Sequence, residues 1–175
     1  IEKLRQCSDL SKMEVGRRVV VIGGGPAGLE AARVSAERGH SIILFEANAL
    51  TGGQVNIAAK ATWRAGLKEI VEWLDSEIRI LGVEVRTNTK ATAEMVLAEA
   101  PDVVVVATGG TSNKGYFEGH ELAVSTWDIL NGSVEIGQNV LIYDDLAAHQ
   151  ALSCAEVVAE QGGCVELITP ENTIG

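Results

Sequence analysis

Apolar residues along this 175-residue chain fall into short unbroken runs, separated by longer stretches in which they recur at helical spacing. Val19-Val20-Val21-Ile22, Ile42-Ile43-Leu44-Phe45 and Val103-Val104-Val105-Val106 are continuous runs, the signature of strands buried on both faces of a parallel sheet. Between the first two, the segment 26–38 reads as a helix that opens on Pro26 and is ended by Gly39. After the second, Leu67, Ile70, Val71, Leu74, Ile78 and Leu81 give the segment 65–81 one apolar face, with Trp63 and Trp73 read as packing residues beside it. Further strands are predicted at 83–86, 139–143 and 165–169, and further helices at 93–99 and 147–161. This alternation predicts a three-layer α/β fold with a mainly parallel sheet.

The joint between the first strand and the first helix is Gly23-Gly24-Gly25-Pro26-Ala27-Gly28. In such a turn Gly23 reverses the chain, Gly25 lets a phosphate approach the backbone, and Gly28 lets helix and strand pack closely. The free N–H groups at the helix start attract an anion without a lysine, and Pro26 removes only a donor that would go unpaired there. Glu46 ends the second run, 18 residues after Gly28. A carboxylate at that place accepts from both hydroxyls of an adenosine ribose and repels a 2′-phosphate, so FAD, NAD or ADP fits and NADP fits poorly. Ligands gather at the carboxyl ends of parallel strands, which places Gly23, Glu46 and Thr108 around one expected crevice. The pattern predicts a Rossmann-like nucleotide-binding fold.

With 14 basic and 24 acidic residues the net charge is −10, which argues against a nucleic-acid or anionic-membrane surface. No apolar run approaches membrane-spanning length, and Cys7, Cys154 and Cys164 form neither a C-x-x-C pair nor a metal-ligand cluster. A reducing, cytoplasmic location is expected. The first residue is Ile1, and the chain is expected to be a piece of a longer one.

The combination G-G-G-P-A-G, Glu46, Gly52-Gly53-Gln54-x-Asn56-x-Ala58 and Ala107-Thr108-Gly109 resembles the FAD-binding half of flavoprotein reductases with two dinucleotide domains. It is similar to the C-terminal part of the trimethylamine dehydrogenase and 2,4-dienoyl-CoA reductase family, from about Arg18 to Glu171. The resemblance implies that Gly23, Gly25, Pro26 and Gly28 hold the pyrophosphate and Glu46 the adenosine ribose. It also implies that Gly53 and Gln54 approach the cofactor through their backbone, that Ala91 meets the adenine edge and that Gly109 closes over the phosphates. The cofactor is then FAD or ADP. FMN in a barrel and an iron-sulfur cluster are expected only in the rest of a parent enzyme, and an electron-transfer flavoprotein is an expected acceptor. No residue here is expected to carry out the substrate chemistry, so the isolated fragment is expected to be inactive.

On this reading, 1–17 is a leader, 18–110 the nucleotide-binding domain, 111–137 a linker and 138–175 a partial, degenerate second dinucleotide-binding unit. Phe117, Leu122, Val124 and Trp127 are expected to pack at the junction. The second unit departs from the family pattern: no glycine occurs between Gly137 and Gly162, and Asp144-Asp145 stand where a pyrophosphate would sit. The two acids are read instead as caps for the following helix, and His149 as a residue outside any site. The lost glycines favour an amine dehydrogenase or demethylase over an NAD(P)H-dependent flavin reductase. A third reading is a nucleotide-binding scaffold or interaction module without electron transfer.

Overall fold

The computed structural model describes residues 15–113 and 117–174. Six strands are present among them: β1 (Arg18–Ile22), β2 (Ser41–Phe45), β3 (Glu84–Arg86), β4 (Val103–Val106), β5 (Asn139–Tyr143) and β6 (Cys164–Ile168). The helices are α1 (Pro26–Glu37), α2 (Gln54–Ala58), α3 (Lys68–Ile80), α4 (Ala93–Ala98), α5 (Thr126–Asn131) and α6 (His149–Glu160), with 3-10 turns at Thr62–Leu67 and His120–Leu122. None of them is long and apolar enough to cross a membrane.

The first four strands form one parallel sheet in the order β3-β2-β1-β4. Val20 lies level with Ile43 on one side and Val104 on the other. After an exposed polar first residue, Arg18 and Ser41, the two central strands are apolar because both their faces are covered, and Val20, Ile43, Phe45 and Val96 form a buried cluster there. β4 is equally apolar but lies at the edge, where Val104 and Val106 are exposed. The helix α3 turns Val71, Leu74 and Ile78 inward.

The chain divides into two compact units. One joins the chain up to Gly53 to Glu69–Gly109, and the other joins Gln54–Lys68 to the chain from Gly110 onward. The second unit contains the parallel pair β5-β6, with Leu130, Ile142, Ala151 and Cys154 in its core and Ala61 beside them. Cys154 donates to the Thr126 carbonyl, and burial pushes its thiol up to about 11. That thiol is a packing group rather than a nucleophile.

Several sequence expectations are corrected. The segment 65–81 is not one helix: a 3-10 turn runs to Leu67 and α3 begins at Lys68, because Gly66 weakens a regular helix start there. Trp63 and Trp73 are about half exposed, not core residues. Trp73 lies about 200° around the helix from Val71, outside the buried face, and each indole is covered by an arginine, Arg33 over Trp73 and Arg64 over Trp63. Within 111–137, α5 is a regular helix, and Leu122 and Val124 are exposed instead of packed. Cys7 lies outside the described residues.

Candidate nucleotide site

The site is built where β1, β2 and β4 end. The Gly23 N–H donates to the Phe45 carbonyl at 2.8 Å and the Ala107 N–H to the Ile22 carbonyl at 2.8 Å, which levels the three strand ends. Gly23 has φ +106°, and a Cβ there would collide with the Ala107 carbonyl, with the Thr108 Cα only 3.1 Å away. A Cβ on Gly28 would collide with the Gly23 carbonyl oxygen. Glycine at these two places is demanded by the fold itself.

Gly25 differs. Its φ of −73° and ψ of 176° suit any residue, and nothing lies within 4 Å of where its Cβ would be. What glycine supplies there is empty space. Gly25 is also the N-cap of α1, with no side-chain cap and no acid in the first turn. The first backbone bond of the helix runs from the Leu29 N–H to the Gly25 carbonyl. The N–H groups of Ala27 and Gly28 therefore have no partner within the helix, and Pro26 has none to offer. An open cradle at the positive end of a 12-residue helix fits a pyrophosphate.

Glu46 is 5% exposed and stands beside this cradle. Its Oε2 accepts from the Gly24 N–H at 2.7 Å, and its Oε1 accepts from the Asn48 N–H at 2.7 Å and the Asn48 Nδ2 at 2.8 Å. An ionised carboxylate offers about four acceptor positions, so one remains on Oε2 for a ribose hydroxyl. The Glu46 backbone is tied to the segment after β3, with its N–H on the Arg86 carbonyl and its carbonyl receiving the Thr89 N–H. Ala91 follows in that segment and packs against the Val20–Phe45 cluster.

A second glycine loop lies against the first. The Gly52 N–H donates to the Gly24 carbonyl at 2.7 Å, and a Cβ on Gly53 would come within 3.2 Å of the Gly25 Cα. Gly109 follows Ala107 and Thr108 at the end of β4 with φ +70°. Of the residues predicted for the site, Gly23, Gly25, Pro26, Gly28, Glu46 and Gly53 are thus brought together, and Ala91 and Gly109 lie in the segments that follow β3 and β4. Gln54 belongs to the other unit, where its amide donates to the Gly110 carbonyl. Sequence reasoning passed over Gly24, Asn48 and Thr51. Gly24 contributes a main-chain donor, Asn48 a contact two residues from Glu46 and Thr51 contacts to distant Gly24 and Asp75, none of which follows a spacing rule.

In the second unit the residue that follows β5 is an acid, where Gly23 follows β1. Asp144 is 5% exposed, its N–H donates to the Ile168 carbonyl, and its Oδ1 accepts from the Leu146 N–H at 3.2 Å. Its Oδ2 is enclosed with no hydrogen-bond partner. Asp145 is exposed and caps nothing: the N-cap of α6 is Ala148, without a side-chain cap. The capping role expected for these two acids is therefore corrected. Asp144 folds back on its own turn and leaves the helix start open.

Residues 17–139 match the family model described as pyridine nucleotide-disulphide oxidoreductase. A probable N-methylproline demethylase of Rhizobium meliloti (strain 1021) is 47% identical over 165 residues, covering 94% of this chain and 24% of that protein. The solved structure of a 2-naphthoyl-CoA reductase in complex with 2-naphthoyl-CoA aligns with a TM-score of 0.83 at 34% identity, covering 90% of this chain and 24% of that one. Histamine dehydrogenase from Rhizobium sp. 4-9 aligns with a TM-score of 0.82 at 27% identity, covering 94% and 27% respectively. The chain spans about a quarter of the length of these relatives. It belongs to the pyridine nucleotide-disulphide oxidoreductase family, as a nucleotide-binding region of the trimethylamine dehydrogenase and 2,4-dienoyl-CoA reductase kind.

Proposed function

We propose that this chain holds the adenosine diphosphate portion of FAD, or ADP itself, inside a flavin-dependent oxidoreductase of the amine dehydrogenase or demethylase kind. The observation that carries the reading is the empty space over Gly25, at an uncapped helix start and beside a buried acceptor carboxylate. Gly25, Ala27 and Gly28 present N–H groups to the pyrophosphate, Glu46 accepts from the ribose, Ala91 lines the adenine edge, and Gly53 and Gly109 close over the phosphates through their backbone. When FAD is the ligand, its isoalloxazine supplies the electron-transfer chemistry. The protein groups named here bind and orient, and none of them moves a proton.

The amine-oxidising branch is favoured by Asp144, a buried carboxylate where a nicotinamide dinucleotide would need glycine and room for two phosphates. FMN and an iron-sulfur cluster belong to the remainder of the parent protein on this reading, with an electron-transfer flavoprotein as acceptor. The reductase alternative draws support from the likeness to 2-naphthoyl-CoA reductase. Absorbance of the purified parent protein, followed by denaturation and chromatography of the released nucleotide, tests the proposal. Release of ADP, or of FAD beside FMN, is expected. A protein that releases no adenine nucleotide and takes up neither FAD nor ADP overturns it and leaves an interaction module without electron transfer.

A further inference from the structure

We propose that Asp75, on α3, is a positioning residue for the nucleotide, acting through Thr51 on the glycine loop that lies against the phosphate turn. The inference rests on the nucleotide reading above and extends it to residues outside the cradle. The Thr51 hydroxyl donates to Asp75 Oδ1 at 2.9 Å, across 24 positions of sequence. Arg79, one turn further along α3, donates through Nε to Asp75 Oδ2 at 2.6 Å and through Nη2 to Oδ1 at 3.4 Å, which fixes the carboxylate. The Thr51 methyl lies 3.2 Å from where a Gly24 Cβ would be, and the next residue, Gly52, donates to the Gly24 carbonyl. Gly53 then lies over Gly25, beside the open cradle.

The loop Thr51–Gly53 needs this anchor. Gly52 and Gly53 both sit at positive φ, +114° and +52°, and bring no side chain with which to pack. Glycines also lose the most freedom on ordering. A loop held in place before the ligand arrives spares binding that entropy. Asp75 supplies the hold from a regular helix, and Arg79 keeps its carboxylate in the orientation that Thr51 meets.

The test is calorimetric titration of the intact protein, stripped of bound nucleotide, with ADP as probe. Thr51→Val keeps the shape and removes the donor, and is expected to weaken ADP about fivefold, the worth of one hydrogen bond. Asp75→Ala is expected to weaken ADP to the same degree, with no further loss in the double variant, because both act through one bond. Thr51→Ser restores the donor and binds within about twofold of wild type. Arg79→Gln lowers Tm with a smaller effect on ADP. If Thr51→Val and Asp75→Ala lower Tm and leave the ADP Kd unchanged, the bond is purely structural and the proposal falls while the nucleotide reading stands. If wild type binds no ADP, both fall together.

Discussion

At the level of single residues, the glycines of the first turn separate into those the fold needs and one, Gly25, that it does not and that the proposed ligand would use. Gly28→Ala drives a Cβ into the Gly23 carbonyl and is expected to cost about 1–3 kcal/mol of stability. Gly25→Val meets an ordinary backbone conformation and open space, so Tm should stay near wild type. ADP affinity should nevertheless fall about 100-fold, the worth of two charge-assisted hydrogen bonds at about 1.5 kcal/mol each. Thermal melts with and without ADP distinguish the two, and a Gly25→Val protein that binds ADP normally would remove the pyrophosphate from this turn. Glu46 is a less simple switch than its place in the sequence suggests. ADP should bind better than 2′-phospho-ADP, and Glu46→Gln should narrow the difference by removing the repelling charge. Because three N–H groups converge on this carboxylate, a glutamine NH₂ must face at least one of them, and Tm should fall as well. Equal wild-type affinities for the two ligands would place Glu46 outside the ribose site. The turn glycines and Glu46 were legible in the sequence because each occupies a fixed offset from a strand end. Asn48 was not, since a side chain that bonds a neighbour two residues away follows no period.

Among the elements, continuous apolar runs marked β1, β2 and β4 almost to the residue: β1 and β2 are covered on both faces and carry no polar interruption inside the run, and β4 is as apolar although it lies at the sheet edge. The short helices were harder to read. For α5 a signal was present: Ser125 and Asp128 form a reciprocal capping box and Gly132 closes the helix at φ +67°. Six residues are too few for an apolar period to reveal it. α2 has five residues and none of them buried, so periodicity had nothing to report. At α6 the sequence misassigned a cap. Asp145→Ala is now expected to change stability by less than about 0.5 kcal/mol, as an exposed residue without a partner role does, and a loss of a full cap's worth in a thermal melt would restore the capping account. Acid should loosen the elements that ion pairs connect. The Arg86 hydrogen bond is the largest effect on Glu99, and with the Arg18 hydrogen bond it outweighs the opposing desolvation and holds the carboxyl below its usual value of 4.5. Burial is the largest single effect on Asp75 and pushes upward, yet Arg79 and Thr51 together outweigh it and hold that carboxyl below 3.8. Both groups are lowered in the folded state, so their stabilisation is complete above those ordinary values and is lost as pH falls through the native ones. Tm should therefore drop between about pH 5 and pH 2, with a shallower slope in Glu99→Gln; an unchanged slope would mean that the pairs contribute nothing.

For the whole molecule, a repeated strand–helix pattern announces a mainly parallel α/β fold, but unit membership does not follow from it. The segment Gln54–Lys68 joins the later part of the chain, and Thr62 donates to Glu160 at 3.0 Å across 98 positions. No local rule announces so distant a pairing. The same limit applies to the turn after β5, where the loss of glycine is legible in the sequence and the burial of Asp144 is not. A buried, half-unsatisfied Asp144 stands directly after β5, the place that Gly23 holds after β1. A like charge at about 4 Å costs about 4 kcal/mol at a partly shielded site, roughly a thousandfold in affinity for each phosphate placed there. Neither NADH nor NADPH should then bind at this turn, and neither should reduce the flavin of the parent enzyme, whereas an amine substrate should. Rapid mixing of the intact protein with each reductant, followed by flavin absorbance, is the decisive measurement. Bleaching by NADH on the timescale of turnover, abolished by Asp144→Ala, would show that this carboxylate receives the nicotinamide nucleotide rather than excludes it, and would move the enzyme into the reductase branch.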